Sequence, residues 1–596
     1  MKAREPKGGA GLGGDVEYQT LSLGQYASAV EATLRRMTEE KFLARLWQKD
    51  PTLWKDDPPH QKVIRNALGW LTVAGAMLEQ AEEIQAFAGQ VRADGIADVV
   101  LLGMGGSSLC AEVFRRTFGR IGAYPRLWVL DSTDPATVAG IEQSVDLTRT
   151  LFIVASKSGT TTEPLMFYRY FFARVSRVKP DRPGAHFIAI TDPGTPLAES
   201  AGHERFRRVF LNPADIGGRY SALSYFGMVP AALMGLDVKG VLERAVKAAD
   251  ACGPGVPPDK NPAARLGAIL GALAGQGRDK VTLVTPRPID SLGLWVEQLV
   301  AESTGKEGRG ILPVPGEPLG PPGVYGDDRV FVSIATPGGS DAETEAKLRA
   351  LEAAGHPVVR HALQDPLSLG AEFFVWEVAT ALVGALLRIN PFDQPNVQES
   401  KDNTNRLLEV YRRQGKFPEQ EILVEADGCR ITGDAATRAA ARETHRPRTP
   451  SAYLRAHLAR AGTGDYVALT AFIPETPAHD DLLGVIRTRI RDALKAATTV
   501  GYGPRFLHST GQLHKGGPDR GVFIQITADD PCDLAIPGEP FSFSVLKHAQ
   551  ALGDLESLLK RGRRVIRFHV GHETEAGLRT LLGAVQEGLA TQVAGG

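Results

Sequence analysis

Apolar positions along the chain change their spacing near residue 96, and the change separates two kinds of structure. From about Leu23 to Gly89 apolar residues recur at helical spacing, interrupted by the stretch DPTLWKDDPPH. From Ile96 onward, helical stretches alternate with short apolar runs such as DVVLLG, RLWVLDS, TLFIVASKS and HFIAITD. Apolar runs of this length between helices are typical of parallel strands in β–α–β units. The pattern predicts a helical N-terminal segment followed by an α/β fold.

Two more α/β series follow along the chain. The second contains VTLVT, ILPV, RVFVSIA and HPVVRH and ends in the long apolar helix AEFFVWEVATALVGALL. The third begins after about Pro418, past a charged, proline-containing stretch (433–450) that we interpret as a linker or excursion. We therefore predict a helical N-terminal segment over 1–92, α/β domains over 93–240 and 241–418, and an extra C-terminal α/β domain over 419–596.

Composition excludes several classes of protein. The chain has 596 residues, of which 43% are hydrophobic, and its 68 Lys and Arg against 69 Asp and Glu leave no basic surplus for nucleic-acid phosphates. Four scattered cysteines form no Cys-x-x-Cys pair, which argues against a disulfide scaffold or a zinc knuckle. The N-terminus lacks the apolar core of a signal peptide, and the longest uncharged run (220–236) indicates a buried helix. We expect a soluble, cytoplasmic protein that binds neither nucleic acid nor a membrane.

Two turns rich in glycine and hydroxyl groups each follow a predicted strand and open a helix. The first, LLGMGGSSLC (101–110), lacks the ending of a P-loop and does not complete a GxGxxG motif. The second is VASKSGTTTEP (154–164). Helix N-termini surrounded by hydroxyls bind anions, and a single lysine suits a small phosphate ester better than a polyphosphate. The alternative is that the Ser and Thr residues only cap the helix. Two such turns in one predicted sheet favour the anion site over this alternative.

Four segments, in order, resemble the phosphoglucose isomerase family. SKSGTTTE is similar to the phosphate loop of sugar isomerase domains, and EQLVAESTGKEGRG (297–310) to the family's ESxGK segment. DIGGRYSALSYFG (215–227) and NPFDQPNVQESK (390–401) resemble its first and second signatures. The resemblance implies two tandem three-layer α/β/α sugar isomerase domains with parallel sheets. The whole chain looks most like the isomerase half of fused transaldolase–phosphoglucose isomerase proteins, without the transaldolase barrel.

The resemblance implies an aldose–ketose isomerase that converts D-glucose 6-phosphate to D-fructose 6-phosphate through a cis-enediol, without a cofactor or metal. Glu302 would be the base, with Gln298 one helical turn earlier binding sugar hydroxyls. Arg219 would stabilise the enediolate, and Gly218 would let the backbone approach the sugar. Lys401 would assist ring opening. The remaining implied substrate-binding residues are Gly106, Ser107, Ser156, Lys157, Ser158, Thr160, Thr161 and Gln394.

The sequence departs from the family pattern in three places. The second signature normally reads Gly-Val-Glu, whereas here it is Asn396-Val397-Gln398. The family's ring-opening histidine usually follows the catalytic glutamate by a few tens of residues, but residues 303–355 contain no histidine. Finally, relatives usually end soon after the lysine, whereas this chain continues to residue 596.

The C-terminal section offers a replacement for the missing histidine. PRFLHSTGQLHKGGPDR (504–520) places His508, His514 and Lys515 among glycines, between a helix and the predicted strand GVFIQIT. With no cysteine or third histidine nearby, we do not expect a metal site. A basic surface loop is one interpretation. The hypothesis that we adopt is that this loop reaches the sugar ring, from the same or a neighbouring subunit, so that His508 or His514 acts in ring opening.

Three alternative functions stay open. An isomerase for another hexose 6-phosphate, such as mannose 6-phosphate, would use the same base. A non-catalytic sugar-phosphate-binding regulator would need the phosphate loop but not Glu302, Arg219 and Lys401 together. The chain could also be an isomerase module with a separate transaldolase partner. Because relatives are generally dimers whose sites borrow a side chain from the neighbour, the resemblance also implies a homodimer.

Overall fold

The N-terminal segment is helical but also contributes one strand. The computed structural model of the chain describes residues 18–426, 428–443 and 448–593, so residues 1–17 of the predicted segment lie outside the described residues. Along helix α4 the buried residues Trp70, Ala74, Met77, Ala81 and Ile84 recur at helical spacing, as predicted. The elements are β1 (Gln19–Ser22), α1 (Ala27–Glu39), α2 (Phe42–Trp47), α3 (Pro58–Arg65) and α4 (Trp70–Ala93).

The first sheet is entirely parallel, with strand order β3-β2-β4-β5-β6. Strands β2 and β4 are neighbours in its centre and are fully buried. The two predicted glycine-rich turns leave the carboxyl ends of these two strands, at the point where the strand order reverses, which is where ligands bind in open α/β sheets. Its elements are β2 (Asp98–Leu102), α5 (Leu109–Phe118), β3 (Arg126–Leu130), α6 (Pro135–Ser144), β4 (Thr150–Ala155), α7 (Thr162–Val178), β5 (Phe187–Thr191), α8 (Pro196–His203) and β6 (Arg208–Leu211).

The second sheet has the order β1-β10-β9-β7-β8, parallel except for β1, which pairs antiparallel with β10. The uncharged run 220–236 contains the buried helix α9, as predicted. The elements are α9 (Tyr225–Leu233), α10 (Val238–Ala251), α11 (Pro262–Ala274), β7 (Lys280–Val284), α12 (Leu292–Thr304), β8 (Leu312–Pro315), β9 (Arg329–Ala335), α13 (Ala342–Ala353), β10 (Val358–Ala362), α14 (Leu369–Leu387) and α15 (Pro395–Gln414).

Helix α14 lies at the centre of this part of the protein. The apolar stretch Pro366–Leu387 that contains it is long enough to cross a membrane, but 94% of its most apolar window is buried inside the protein. The helix packs against α10, α11 and α12, and the pair Trp295 and Phe373 joins it to α12 with ring centroids 4.6 Å apart. The length and apolar character of α14 therefore fit a core helix.

The C-terminal section forms a third, mixed sheet with the order β11-β12-β16-β15-β13-β14. The four strands β13 to β16 are parallel, while β11 and β12 are antiparallel additions at the β16 edge. The elements are β11 (Val424–Ala426), β12 (Cys429–Gly433), α16 (Ala435–Glu443), α17 (Pro450–Leu458), β13 (Tyr466–Phe472), α18 (Pro477–Leu494), β14 (Ala497–Tyr502), α19 (Thr510–Gly516), β15 (Gly521–Thr527), α20 (Phe543–Lys560), β16 (Arg564–His569) and α21 (Thr574–Val593).

Two stretches predicted as linker or loop are more ordered than expected. The stretch 433–450 contains helix α16, which begins after Asp434; this carboxylate accepts from the Thr437 amide and pairs with Arg460 at 2.8 Å. Residues 444–447 lie outside the described residues. The stretch 504–520 is not a loop, because residues 505–508 form a 3-10 turn and helix α19 follows directly. Helix α19 packs against α12 and α15, which lie far away in the sequence, whereas the contacts of α16 are with the neighbouring segment up to Arg460.

Candidate active site

Glu302 lies in the last turn of α12, one turn after Gln298, and both side chains are buried. The Gln298 amide nitrogen Nε2 lies 3.1 Å from the Glu302 carboxylate oxygen Oε2. Residues four apart on a helix point in the same direction, so the two polar groups face one point. Helix α12 thus presents a carboxylate and an amide to a shared polar cluster, as the sequence predicted for this pair.

Arg219 approaches the other oxygen of the same carboxylate. Its Nη1 lies 3.2 Å from Glu302 Oε1 and 3.0 Å from Gln394 Oε1. The guanidinium also donates to Ser303 Oγ at 2.7 Å and to the backbone oxygens of residues 391 and 393. Because nearly every donor is engaged, the guanidinium is held rigidly beside Glu302. Gln394 at the start of α15 takes part in holding it there.

The first glycine-rich turn touches the backbone that carries Arg219. A Cβ atom at Gly106 would lie 2.0 Å from the carbonyl oxygen of Gly218, so the two backbones approach as only glycine permits. At Gly218 itself the direction of a side chain is open space. Ser107 ends the 3-10 turn Gly105–Ser107 and is half-buried. The turns at 105–107 and 218–220 therefore form one wall beside Glu302.

His508 enters this cluster from the C-terminal section. Its backbone oxygen accepts a hydrogen bond from Gln298 Nε2 at 2.8 Å, and its Cβ lies 3.1 Å from the position that a Cβ at Gly105 would take. Its imidazole Nε2 lies 3.1 Å from Oε1 of Glu163, in the first turn of α7. The histidine therefore contacts α12, the first glycine-rich turn and the helix that follows the second turn.

Glu163 is buried beneath His508 and accepts a second hydrogen bond, 2.7 Å long, from Gln550 on α20. Burial alone would raise the pKa of Glu163, but the charge and hydrogen bond of His508, together with the charge of Lys401, bring the pKa below its usual value. The carboxyl group is therefore ionised at neutral pH. An ionised carboxylate at this distance fixes the orientation of the imidazole.

Lys401 lies on α15 beside these two groups. It lines a small cavity together with Glu163, His508 and Gln550. The positive charge of its amine, like that of His508, lowers the pKa of Glu163. The structure thus places the predicted ring-opening lysine next to the histidine that the C-terminal section contributes.

The second glycine-rich turn spans the end of β4 and the start of α7. Ser156 Oγ donates to Thr161 Oγ1 at 3.0 Å, and the hydroxyls of Ser158 and Thr160 lie 2.9 Å apart on an exposed surface. Gly159 has a φ of +66°, a conformation that glycine adopts readily. The turn therefore displays hydroxyls at the N-terminus of α7, on the helix that carries Glu163.

Lys157 is placed differently from the other residues of this turn. Its amine forms an ion pair with Asp192 and donates to the backbone oxygen of Ala214 at 2.9 Å. Burial raises the pKa of Asp192, while Lys157 lowers it by hydrogen bonding and charge. Lys157 thus supports the loop by tying it to neighbouring segments, and its side chain is already engaged by protein groups.

The structure does not bring His514 to the cluster. Its ring is buried among Tyr466, Phe506 and Phe523, with the Phe523 ring centroid 5.0 Å away. Neither ring nitrogen has a hydrogen-bond partner among the described residues, and burial lowers the pKa of the imidazole well below its usual value. The hypothesis that His514 faces the sugar is therefore corrected: its ring lies in the interior of the C-terminal section, enclosed by these aromatic side chains.

Three residues of the cluster were missed in the sequence. Glu163 looked like an ordinary acid in a first helical turn, and Gln550 carried no motif. Gln512 donates to the Gly305 carbonyl at 2.9 Å and to Asn396 Oδ1 at 2.7 Å. Its only signal was its place between the two histidines. Its contact also accounts for one departure, because Asn396 replaces the family's usual glycine and binds a residue of the extra section.

Lys306, at the end of the ESTGK segment, ties that segment to the second signature. Its amine donates to the Asn390 carbonyl at 2.8 Å and pairs with Asp393 at 2.8 Å. Burial, and then the charge of Arg219, lower the pKa of Lys306 to about 8. Among the described residues, no group of three or more His, Cys, Asp or Glu side chains is arranged to hold a metal ion.

Comparison with known proteins places the chain in a family. The Phosphoglucose isomerase family profile matches residues 71–308. The glucose-6-phosphate isomerase of Rubrobacter xylanophilus is 30% identical over 440 residues, which cover 96% of that protein and 65% of this chain. The chain belongs to the phosphoglucose isomerase family. A second relative, the glucose-6-phosphate isomerase of Symbiobacterium thermophilum, is 30% identical over 57% of this chain and 86% of its own length.

Solved structures of similar fold lead to the same architecture. A crystal structure of a glucose-6-phosphate isomerase from Chlamydia trachomatis superimposes with a TM-score of 0.54 at 21% identity, covering 67% of this chain and 89% of its own. A hypothetical protein from Thermus thermophilus gives 0.55 at 24% identity and covers 65% of this chain and 99% of its own. About a third of this phosphoglucose isomerase family member thus lies outside these alignments.

Proposed function

We propose that the protein interconverts D-glucose 6-phosphate and D-fructose 6-phosphate. The observation that carries the proposal is the buried pair of Glu302 and Arg219, 3.2 Å apart, with the first glycine-rich turn packed against the backbone that carries Arg219. A carboxylate beside a fixed guanidinium can take a proton from carbon while the cation stabilises the negative oxygen that forms next to it. A protein that only bound sugar phosphates would need neither group.

The first chemical step of the proposal opens the sugar ring. His508 carries the proton of the anomeric hydroxyl to the ring oxygen, so that the bond between C1 and the ring oxygen of glucose 6-phosphate breaks and a C1 carbonyl forms. Histidine suits both halves of this transfer because its usual pKa of about 6.5 lies near neutrality. The ionised Glu163 orients the ring, and Lys401 lines the same small cavity.

The second step moves a hydrogen between C2 and C1. The Glu302 carboxylate takes the proton from C2 of the open-chain aldose, and the freed electron pair forms the double bond of the enediol while the carbonyl oxygen becomes negative. Arg219 stabilises this oxygen. The proton then returns from Glu302 to C1. The proton of the C2 hydroxyl moves to the oxygen on C1, so that a C2 carbonyl forms and the product is the ketose. Gln298 and Gln394 bind sugar hydroxyls in this arrangement.

The phosphate group anchors the substrate at the second turn. The hydroxyls of Ser156, Ser158, Thr160 and Thr161, with the backbone amides at the start of α7, supply the donors. Gly106 and Ser107 border the sugar on the opposite side. No step of this scheme uses a metal or a cofactor.

Every residue in the scheme comes from a single chain, including His508. The homodimer implied by the family resemblance stays a prediction, and sedimentation velocity measures the oligomeric state directly. The cytoplasmic location also stays a prediction. We infer from the single-chain site that dimerisation is not needed to complete it. Specific activity that stays constant on dilution below the dimer dissociation constant would support this.

A coupled assay tests the function. Purified protein is mixed with fructose 6-phosphate, and the glucose 6-phosphate formed is measured with a dehydrogenase. The alternatives are separated by offering mannose 6-phosphate in parallel. We expect turnover of the glucose and fructose esters to exceed that of the mannose ester. Binding of fructose 6-phosphate without turnover would instead identify a regulator.

A further inference from the structure

The C-terminal section contains a cavity of about 660 Å³ that takes no part in the active site described above. It opens at the carboxyl ends of β13, β15 and β16, where Phe472, Thr527 and His569 end their strands. In an open α/β sheet this edge is where small ligands bind, and the volume is that of a site for a metabolite-sized molecule. Helix α20 forms one wall of the cavity, and the segment from Phe417 to Ile422 forms the outer wall.

One polar row crosses a sheet face that would ordinarily be apolar. Thr432 lies directly opposite Arg567 in the antiparallel pair β12–β16, and Gln525 lies beside Arg567 in the parallel pair β15–β16. Side chains paired in this way share one face of a sheet. The other face carries Ile431, Ile566 and Phe568 in the apolar core of the section. Polar residues at covered positions of a sheet require a reason, which is either a complete hydrogen-bond network or a ligand.

Arg567 is the charged member of this row, and it is buried. Its Nε donates to Gln525 Oε1 at 2.7 Å and its Nη2 to the Ala551 carbonyl at 3.0 Å, both neutral acceptors. Among the described residues no carboxylate lies within ion-pair distance of the guanidinium. The two acids whose charge reaches it are engaged elsewhere, Asp554 by Lys515 and Glu556 by Arg406. Burial lowers the pKa of Arg567 to about 10.

The other charged groups that line the cavity are paired. Asp530 pairs with Lys547, and Asp529 lies 3.2 Å from His569 and 3.8 Å from Arg430. The Thr432 hydroxyl, nine-tenths buried, has no hydrogen-bond partner among the described residues. A buried cation without a counterion and an unpartnered hydroxyl both carry a cost in free energy that an anion in the cavity would relieve.

The rest of the lining is apolar and aromatic. Phe472 is buried, Val545 lies on α20, and Ile422 is exposed. The Phe417 ring stacks on His548 with ring centroids 5.0 Å apart and planes 17° apart, which gives the outer wall a flat surface. We propose that this cavity binds a small organic anion, with its carboxylate or phosphate on Arg567 and Thr432 and its apolar body between Phe472 and the 417–422 wall.

Calorimetric titration of the full chain tests this with 3-phenylpropionate as the probe and 3-phenyl-1-propanol as its neutral counterpart. We expect the carboxylate to bind and the alcohol to bind at least tenfold more weakly, since charge-assisted hydrogen bonds contribute about 1.5–3 kcal/mol. Phenyl phosphate, titrated into the Ser158→Ala, Thr161→Ala variant in the presence of saturating fructose 6-phosphate so that the sugar-phosphate site is occupied, shows whether a phosphate is preferred to a carboxylate.

Variants locate the binding. Arg567→Gln should weaken probe binding at least tenfold, whereas Arg489→Gln, an exposed arginine on α18 of the same section, should leave the dissociation constant within twofold. Thr432→Val removes the unpartnered hydroxyl, so it should weaken probe binding several-fold without lowering the melting temperature. The proposal would be overturned if Arg567→Gln bound the probe as tightly as wild type, or if the alcohol bound as tightly as the carboxylate. It would also be overturned if neither anionic probe bound.

Discussion

The imidazole of His508 lies 3.1 Å from the carboxylate of Glu163, although 345 residues separate them in the chain. Glu163 belongs to the helix that follows the phosphate loop, whereas His508 belongs to the extra C-terminal section. The histidine also holds Gln298 through its backbone oxygen. The C-terminal section therefore contributes an imidazole to the same polar cluster as Glu302 and Gln298.

Replacing His508 tests ring opening separately from isomerisation. His508→Ala should slow turnover of cyclic fructose 6-phosphate by about 10²-fold or more, since general acid–base groups typically contribute 10²–10⁴-fold. An aldotetrose 4-phosphate cannot close into a comparable ring and bypasses this step. Its turnover by the same variant should stay close to that of wild type. The two rates are measured side by side in steady-state assays.

His514→Phe is the matched control for that experiment. The ring lies among three aromatic side chains with both nitrogens unpartnered within the described residues, so phenylalanine fits its surroundings. Activity on both substrates should be unchanged and the melting temperature should not fall. If His508→Ala slowed both substrates equally, or if His514→Phe selectively slowed the cyclic one, the assignment of ring opening to His508 would be wrong.

Glu302→Gln should reduce kcat by about 10²–10⁴-fold and leave the dissociation constant of fructose 6-phosphate nearly unchanged. The amide keeps the shape of the side chain but cannot accept the proton from carbon. Glu307→Gln, five residues later at an exposed position paired with Lys55, is the control and should keep full activity. A kcat for Glu302→Gln within a few-fold of wild type would remove Glu302 as the base.

Ser158→Ala combined with Thr161→Ala should act mainly on binding. Both hydroxyls lie in the turn before α7, which the proposed scheme assigns to the phosphate group, so their loss should remove interactions present equally in the ground and transition states. We expect KM to rise about tenfold or more, at roughly 1 kcal/mol per lost hydrogen bond, with a smaller change in kcat. A fall in kcat at constant KM would place the phosphate elsewhere.

The burial of Glu297 on helix α12 should make the stability of the protein depend on pH. Burial raises the pKa of Glu297 to about 8, although Arg487 and Arg505 lower it in part. The folded state therefore holds a proton that the unfolded chain releases near pH ~4.3. Between these two values the folded protein binds more protons, so the free energy of unfolding falls as pH rises.

Glu297→Gln carries a neutral side chain at every pH and should escape this loss. Its melting temperature should be close to that of wild type at pH 5 and higher than that of wild type at pH 8. The corresponding gain in the free energy of unfolding is a few kcal/mol at most, at ~1.4 kcal/mol per pH unit. Glu31→Gln, at an exposed position on α1, should show no such trend. A variant that is equally or less stable than wild type at pH 8 would show that Glu297 is not held neutral.

Chelators should leave the activity intact. The proposed proton transfers use only side chains of the protein, and the described residues offer no cluster with convincing metal-ligand spacing. We expect the rate after dialysis against EDTA to equal the rate before it. Loss of activity that zinc or magnesium restores would contradict this scheme.

The elements built from local patterns were predictable, and those that depend on distant partners were not. Strands β2 and β4 and the turns after them follow from apolar runs and glycine positions, whereas Glu302 is singled out only by the resemblance of its segment to a family motif. Strand β1 pairs with β10, whose residues lie more than three hundred positions away, and nothing in residues 19–22 signals this partner.

The two histidines show the same limit at the site. His508 and His514 have the same chemistry and lie six residues apart, so the sequence offered no way to choose between them. The choice is made by Glu163, which lies beside His508, and by the rings of Tyr466 and Phe523, which lie beside His514. Of these three residues, Glu163 is 345 positions from its histidine. Gln550 was missed because its partner, Glu163, is equally remote.

Under the proposed scheme, the position of His508 also sets when a newly made chain can begin catalysis. The ribosome adds Glu302 about two hundred residues before it adds His508, which at ~5–20 residues per second is a delay of roughly 10–40 s. During that interval the two isomerase domains can fold around a site without its histidine. On this scheme a nascent chain can hold the sugar phosphate before it can open its ring, so catalysis begins only once the C-terminal section has been made and has folded.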